Sequence, residues 1–212
     1  MTKRTLYQLS NWFFGIILGL SLAAPVAFAG QPREVVESFH RSLLEVMKSA
    51  ATTKVQGRYE KLEAPITTAF NLPVMIQIAS GAKWRAATDD EKAKLIDAFK
   101  RVSVGTYAQR FDGFSGEKFE TIGEQDGPSG SKLVQTRIVR PNKEPVPITY
   151  VMRKFGDNDW RVVDVIVSNG ISELAVRRSE YNAILNAGGP SELVGKLNQK
   201  ADAILAGAAA AN

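Results

Sequence analysis

Between Pro145 and Ser172 the chain reads PVPITYVMRKFGDNDWRVVDVIVSNGIS, and this stretch constrains the fold more than any other. Two runs rich in Val, Ile, Thr, Tyr and Trp, Val146–Lys154 and Trp160–Ser168, suit a pleated backbone. Gly156, Asp157, Asn158 and Asp159 between them tolerate the tight bends of a hairpin turn. Strict alternation in the second run puts Val163, Val165 and Val167 on one face and Trp160, Val162 and Ile166 on the other. Apolar on both faces, this hairpin needs cover from helices or from a ligand.

The flanking sequence supplies helices. Pro32 opens one that runs to about Ala51, with Val35, Phe39, Leu43, Val46, Met47 and Ala50 as its apolar stripe. His40, the only histidine, sits beside that stripe and is expected at the rim or in solvent. Gly57 weakens the next segment and Pro65 should break it, and Pro65 and Pro73 together suggest two short helices meeting at an angle. Between Ile66 and Gly81 the apolar residues exceed what a short amphipathic helix requires. Core packing explains the surplus, and a mobile flap with Met75 as an adaptable wall is the alternative.

Thr88-Asp-Asp-Glu91 is a capping box that begins a long helix, closed by Gly113 and Gly116. Lys118–Glu124 and Lys132–Arg140 read as two more strands before the hairpin. Gly188-Gly189-Pro190 divides two final helices, and residues 207–212 form a tail expected to fray. The fold class is α+β: a curved antiparallel sheet of about four strands, covered on one face by helices and enclosing an apolar cavity.

The N-terminus carries the pattern of an export signal. Lys3 and Arg4 precede the apolar run Trp12–Ala24, and Ala27-Phe28-Ala29 is a small-x-small cleavage site. The run falls short of the ~20 residues a spanning helix needs. Residues 1–29 are therefore expected to be a cleaved signal peptide, and 30–206 a single domain outside the cytoplasm. No cysteine is present, which excludes thiol nucleophiles, Cys-based zinc sites and iron–sulfur ligation, and leaves the core alone to hold the fold. A net charge of +5, with both signs interspersed, lacks the concentrated basic face of a nucleic-acid binder. Arg137, Arg140 and Lys143 cluster near a turn, and Arg177 and Arg178 lie on a helix; these read as solvated faces or as docking points for anionic surfaces.

Several motifs together carry a family resemblance. Pro-x-Pro-Ile-x-Tyr-x-Met at 145–152, Trp-Arg-Val-x-Asp-Val at 160–165, Gly-Ile-Ser at 170–172 and the helix of Ala82–Phe111 occur in a fixed order. In this the chain resembles the periplasmic phospholipid-binding proteins of the outer-membrane lipid asymmetry pathway, the MlaC-type or toluene-tolerance family. The resemblance implies a periplasmic carrier of phospholipid or, in the hopanoid-associated branch, of hopanoid, with no cofactor, metal or catalysis. Its implied partners are an inner-membrane ABC transporter with a mammalian-cell-entry-type subunit and an outer-membrane lipoprotein complex. Val163 departs from the pattern, since family members often carry Tyr before the Asp.

Such a carrier must hide hydrocarbon. At ~0.8 kcal/mol per exposed methylene, two acyl chains cost on the order of 20 kcal/mol if carried bare. Read with the resemblance, candidate wall residues are Ile76, Val102, Tyr107, Phe111, Val134, Ile138, Tyr150, Met152, Val163 and Val165. The Tyr107 and Tyr150 hydroxyls are expected at the cavity mouth or on backbone partners. Asp164, inside an apolar strand, needs donors. It either accepts bonds from a helix N-terminus or an arginine such as Arg178, or serves as the general base of a small α+β enzyme. A non-lipid adaptor with a solid core is the remaining alternative.

Overall fold

Five antiparallel strands hydrogen-bond in sequence order: β1 (Lys118–Asp126), β2 (Lys132–Arg140), β3 (Lys143–Phe155), β4 (Asp159–Val167) and the short β5 (Ile171–Ser172). The computed structural model describes residues 31–168 and 170–207, so the expected signal peptide and nearly all of the expected frayed tail lie outside the described residues. Asn142 (φ 56°) turns the chain between β2 and β3, and Gly156 (φ 72°) does so between β3 and β4. Both residue types tolerate the left-handed conformation. The expected strands are present, and β5 is an addition too short to leave a periodic signal.

The sheet buries one face. Val134 and Thr136 in β2, and Tyr150 and Met152 in β3, are buried, while Arg137 and Arg153, which follow them on the other face, are exposed. Strict alternation fails in β4. Val151 pairs with Asp164 but Met152 pairs with Val162, which leaves Val163 as an extra residue in a bulge. The bulge resets the parity, so Val162 and Val165 both join the main core, whereas Val163 is buried outside it. The expected division of β4 into two simple faces is corrected accordingly.

Among the described residues the helices are α1 (Pro32–Lys48), α2 (Val55–Ala69), α3 (Leu72–Ser80), α4 (Ala82–Ala86), α5 (Asp89–Arg110) and α6 (Glu173–Leu205). The capping box that opens α5 is formed, with Thr88 Oγ1 accepting from Glu91 N–H at 3.2 Å and Glu91 Oε2 from Thr88 N–H at 2.8 Å. Pro65 does not break its helix: α2 continues four residues past it. Leu62 and Ile66 on either side are fully buried, and their packing outweighs the lost backbone bond. The real break is at Phe70–Asn71, where the chain pairs with β4 and Asn71 N–H donates to Val162 O at 2.9 Å. That stitch ties the α2–α3 junction to the sheet.

The final helix bends where the sequence places Gly-Gly-Pro. Gly189 adopts φ 71° and ψ −168°, a conformation reserved for glycine, and the helix resumes from Pro190. Beyond the bend, Leu193, Leu197, Ala201 and Ile204 are buried. A Cβ at Gly105 in α5 would meet Ile204 at 3.4 Å, so a small residue there lets the two helices approach closely. Buried Arg58 ties α2 to the end of α5, donating through Nε to Ala108 O at 2.7 Å.

Candidate functional site

An apolar hollow of about 120 Å³ lies between the sheet and the helices. Its walls are Ile66, Phe70, Leu72 and Met75 from α2, α3 and their junction, Phe99 to Phe111 along α5, and Ile148, Tyr150, Val165 and Val167 from the sheet. Aromatic rings fill much of the space beside it. Phe39 meets Phe70 and Tyr107 edge-on at 5.1 and 5.4 Å, and Tyr107 stacks on Phe111 at 5.8 Å. The hollow is smaller than the ~300–1,000 Å³ of pockets that enclose a drug-sized ligand.

Of the ten expected wall residues, Tyr107, Phe111, Tyr150 and Val165 border the hollow. Ile76, Val134 and Met152 are sealed in the surrounding core, and Val102, also buried, borders the neighbouring groove. Ile138 lies half-buried in β2, and Val163 occupies the bulge. Phe99, Ser103, Thr106, Arg110, Ile148, Val167, Glu173 and Arg177 also border the hollow and were not among the ten. A sequence signal existed for part of this set: Ser103, Thr106, Tyr107 and Arg110 recur at helical spacing on one face of α5.

At one end the hollow meets a groove of about 560 Å³ between α5 and both arms of α6. Thr106, Arg110, Glu173 and Arg177 border both spaces. The groove adds Lys196, Lys200 and Glu180, so cations outnumber carboxylates along it. Arg110 lies 4.0 Å from Glu173. Half-buried Arg177 sits 5.5 Å from the Phe99 ring centroid and donates to Tyr181 Oη at 3.3 Å. Deeper in, Ser103 is 5% exposed and its buried hydroxyl has no hydrogen-bond partner. An unpaired buried hydroxyl costs about 1–3 kcal/mol.

His40 is not at a solvated rim. It is 4% exposed, stacks on Phe119 with ring centroids 4.2 Å apart, and its Nε2 lies 3.0 Å from Tyr150 Oη. The Tyr150 hydroxyl therefore points to α1 and not to the cavity mouth. Burial, opposed weakly by Glu37, lowers the His40 pKa to about 4. The unfolded chain takes up its proton at higher pH than the folded one. His40 thus contributes stability that is complete above about pH 6.5 and is lost as the pH falls through 4, by about 3 kcal/mol. Thermal unfolding between pH 7.5 and 4 should show this slope, and His40→Gln should flatten it; an unaltered slope in the variant would assign the acid sensitivity elsewhere.

Asp164 is a structural acceptor. Its Oδ1 accepts from Val165 N–H at 2.8 Å and Leu174 N–H at 3.0 Å, and its Oδ2 from Ser172 Oγ–H at 2.6 Å. Ser172 in turn caps α6, accepting from Ala175 N–H at 2.9 Å. The carboxylate holds the start of α6 on β4, as expected of an acceptor at a helix N-terminus. Among the other basic residues singled out, Arg137 pairs with Glu120 at 2.7 Å and Arg140 is half-buried, with its Nε unpartnered.

The phospholipid-binding protein from Ralstonia solanacearum, solved in complex with a phospholipid, matches this fold with a TM-score of 0.72 at 19% identity. The match covers 82% of this chain and 99% of that one. At that identity the likeness carries the fold alone. No curated protein matches the chain. The sequence model of the MlaC protein matches residues 37–199, from the first turns of α1 to the second arm of α6. The hairpin, the capped α5, the bent final helix and that match give one conclusion: this chain belongs to the MlaC protein family.

Proposed function

We propose that this protein binds phospholipid, with the acyl chains in the hollow beneath the sheet and the headgroup at the basic groove. The observation that carries this reading is the junction at Thr106, Arg110, Glu173 and Arg177, where an apolar interior opens onto a cation-rich channel. A phospholipid has the same order of polarity. The hollow is too small for two acyl chains as it stands, so loading must widen it. Tyr107 on α5 and Phe111 just past its end are half-buried and can swing, while the stitched α2–α3 junction stays fixed to β4. We place the opening between α5 and the first arm of α6, where the groove already parts them.

Membership of the family and the phospholipid named for the Ralstonia protein support the same ligand. By the same reasoning, the protein is a non-enzymatic periplasmic carrier, exported by residues 1–29. It passes lipid between an outer-membrane lipoprotein complex and an inner-membrane ABC transporter with a mammalian-cell-entry-type subunit. The commitment of Asp164 to three hydrogen bonds weighs against a general base there.

Mass spectrometry of lipids extracted from the purified full chain tests the ligand. About one phospholipid per chain is the expected result. Recovery of hopanoid alone, or of lipid-free protein from cells and after incubation with phospholipid vesicles, overturns it.

A further inference from the structure

We infer that the junction between hollow and groove is a site for the ester and phosphate groups of a diacyl glycerophospholipid, with Ser103 donating to an ester carbonyl and Arg110 and Arg177 taking the phosphate. This inference rests on the carrier reading and narrows its cargo. Ser103 carries it. Among the described residues three side chains have a buried polar atom without a partner: Ser80, Ser103 and Arg140. Only Ser103 borders the hollow. The wall therefore presents a buried hydroxyl donor without a partner, which suits a neutral acceptor set between hydrocarbon and a charged group.

Position on α5 supplies the rest. Ser103, Thr106 and Arg110 lie on one face, and exposure rises along them from buried through half-buried to exposed. Arg110 is about 10 Å further along the axis than Ser103 at 1.5 Å per residue. Helical side chains lean toward the N-terminus, so its guanidinium covers the turn of Thr106 and Tyr107. Arg177 faces the same junction from α6, steadied by Phe99 and Tyr181. The sequence of chemistries is hydrocarbon, single hydroxyl donor, paired guanidiniums. A diacyl glycerophospholipid offers acyl chain, ester carbonyl and phosphate diester in that order. A hopanoid hydrocarbon offers no ester, and a free fatty acid places its charge where the ester belongs.

The test is competitive loading of the delipidated full chain from mixed vesicles. The probes are dioleoyl phosphatidylglycerol and its dialkyl ether analogue, which keeps chains and headgroup but lacks the carbonyls. The wild type should prefer the ester lipid about five-fold, the size of one hydrogen bond. Ser103→Ala should remove that preference without reducing ether-lipid uptake. A second competition, phosphatidylglycerol against dioleoylglycerol, reads the arginines, and Arg110→Gln should lower that discrimination about three-fold or more. Equal loading of ester and ether lipid by the wild type overturns the ester assignment and leaves the carrier reading intact. A preference that survives Ser103→Ala does the same. Unchanged discrimination in Arg110→Gln removes the phosphate assignment, and loading of neither phospholipid overturns the carrier reading itself.

Discussion

Thr106→Trp should leave the protein folded and nearly devoid of lipid. Thr106 borders both the hollow and the groove, so an indole there blocks the junction and takes up space from a hollow of only about 120 Å³. Copurified lipid per chain should fall about ten-fold or more, in line with the roughly 1–3 kcal/mol that overpacking imposes on a filled site. The folded state loses little. The Thr106 hydroxyl bonds only back to Val102 O of its own helix at 2.7 Å, and the side chain is half-buried with open groove beside it. A melting temperature within a few degrees of the wild type, with lipid gone, is the expected pair of results. Full lipid content in the variant would move the cargo to another part of the molecule.

Asp164→Ala should give the largest loss of stability. One carboxylate accepts three hydrogen bonds, and two of the donors, Ser172 Oγ–H and Leu174 N–H, set the start of α6. Truncation leaves these donors unpaired, disturbs the Ser172 cap and removes a negative charge from the positive end of the helix dipole. The combined cost is about 3–5 kcal/mol. For a domain of this size that lowers the melting temperature by on the order of 10 °C. Loss of α6 docking also loosens Arg177 and Glu173, so lipid retention should fall with stability. A variant as stable as the wild type would return Asp164 to the enzymatic reading.

Much of the architecture is legible in the residues. The hairpin announces itself through β-branched runs and a Gly-Asp-Asn-Asp turn, α5 through its capping box, and the bend in α6 through Gly-Gly-Pro. These are local signals, written within a few residues of the structure they specify. The misses are non-local. Pro65 stays within α2 because neighbouring Leu62 and Ile66 are held by the core, and His40 is buried because Phe119 and Tyr150 come to it from 79 and 110 positions away in the sequence. The site shows the same division. Any apolar residue of α5 or the sheet was a reasonable wall, but whether it borders space or another side chain depends on packing from every side. Val134 and Met152 meet side chains, and Tyr107 and Val165 meet the hollow. Ser103 escaped notice because a serine in a helix carries no mark of being unpartnered.

The extra residue in β4 also decides the fate of a charge. Val151 pairs with Asp164 and Tyr150 with Val165, so the carboxylate lies across the sheet from the rings that wall the hollow. Had β4 kept its alternation from Val162 onward, position 164 would share the face of Val162, and an anion would project into the oily side. Accommodating Val163 reverses that outcome, and the same carboxylate becomes the clasp that fastens the last helix. Shortening the strand by that one residue would straighten the ladder and still leave Asp164 opposite Val151, so the bulge absorbs a surplus residue without turning the clasp inward.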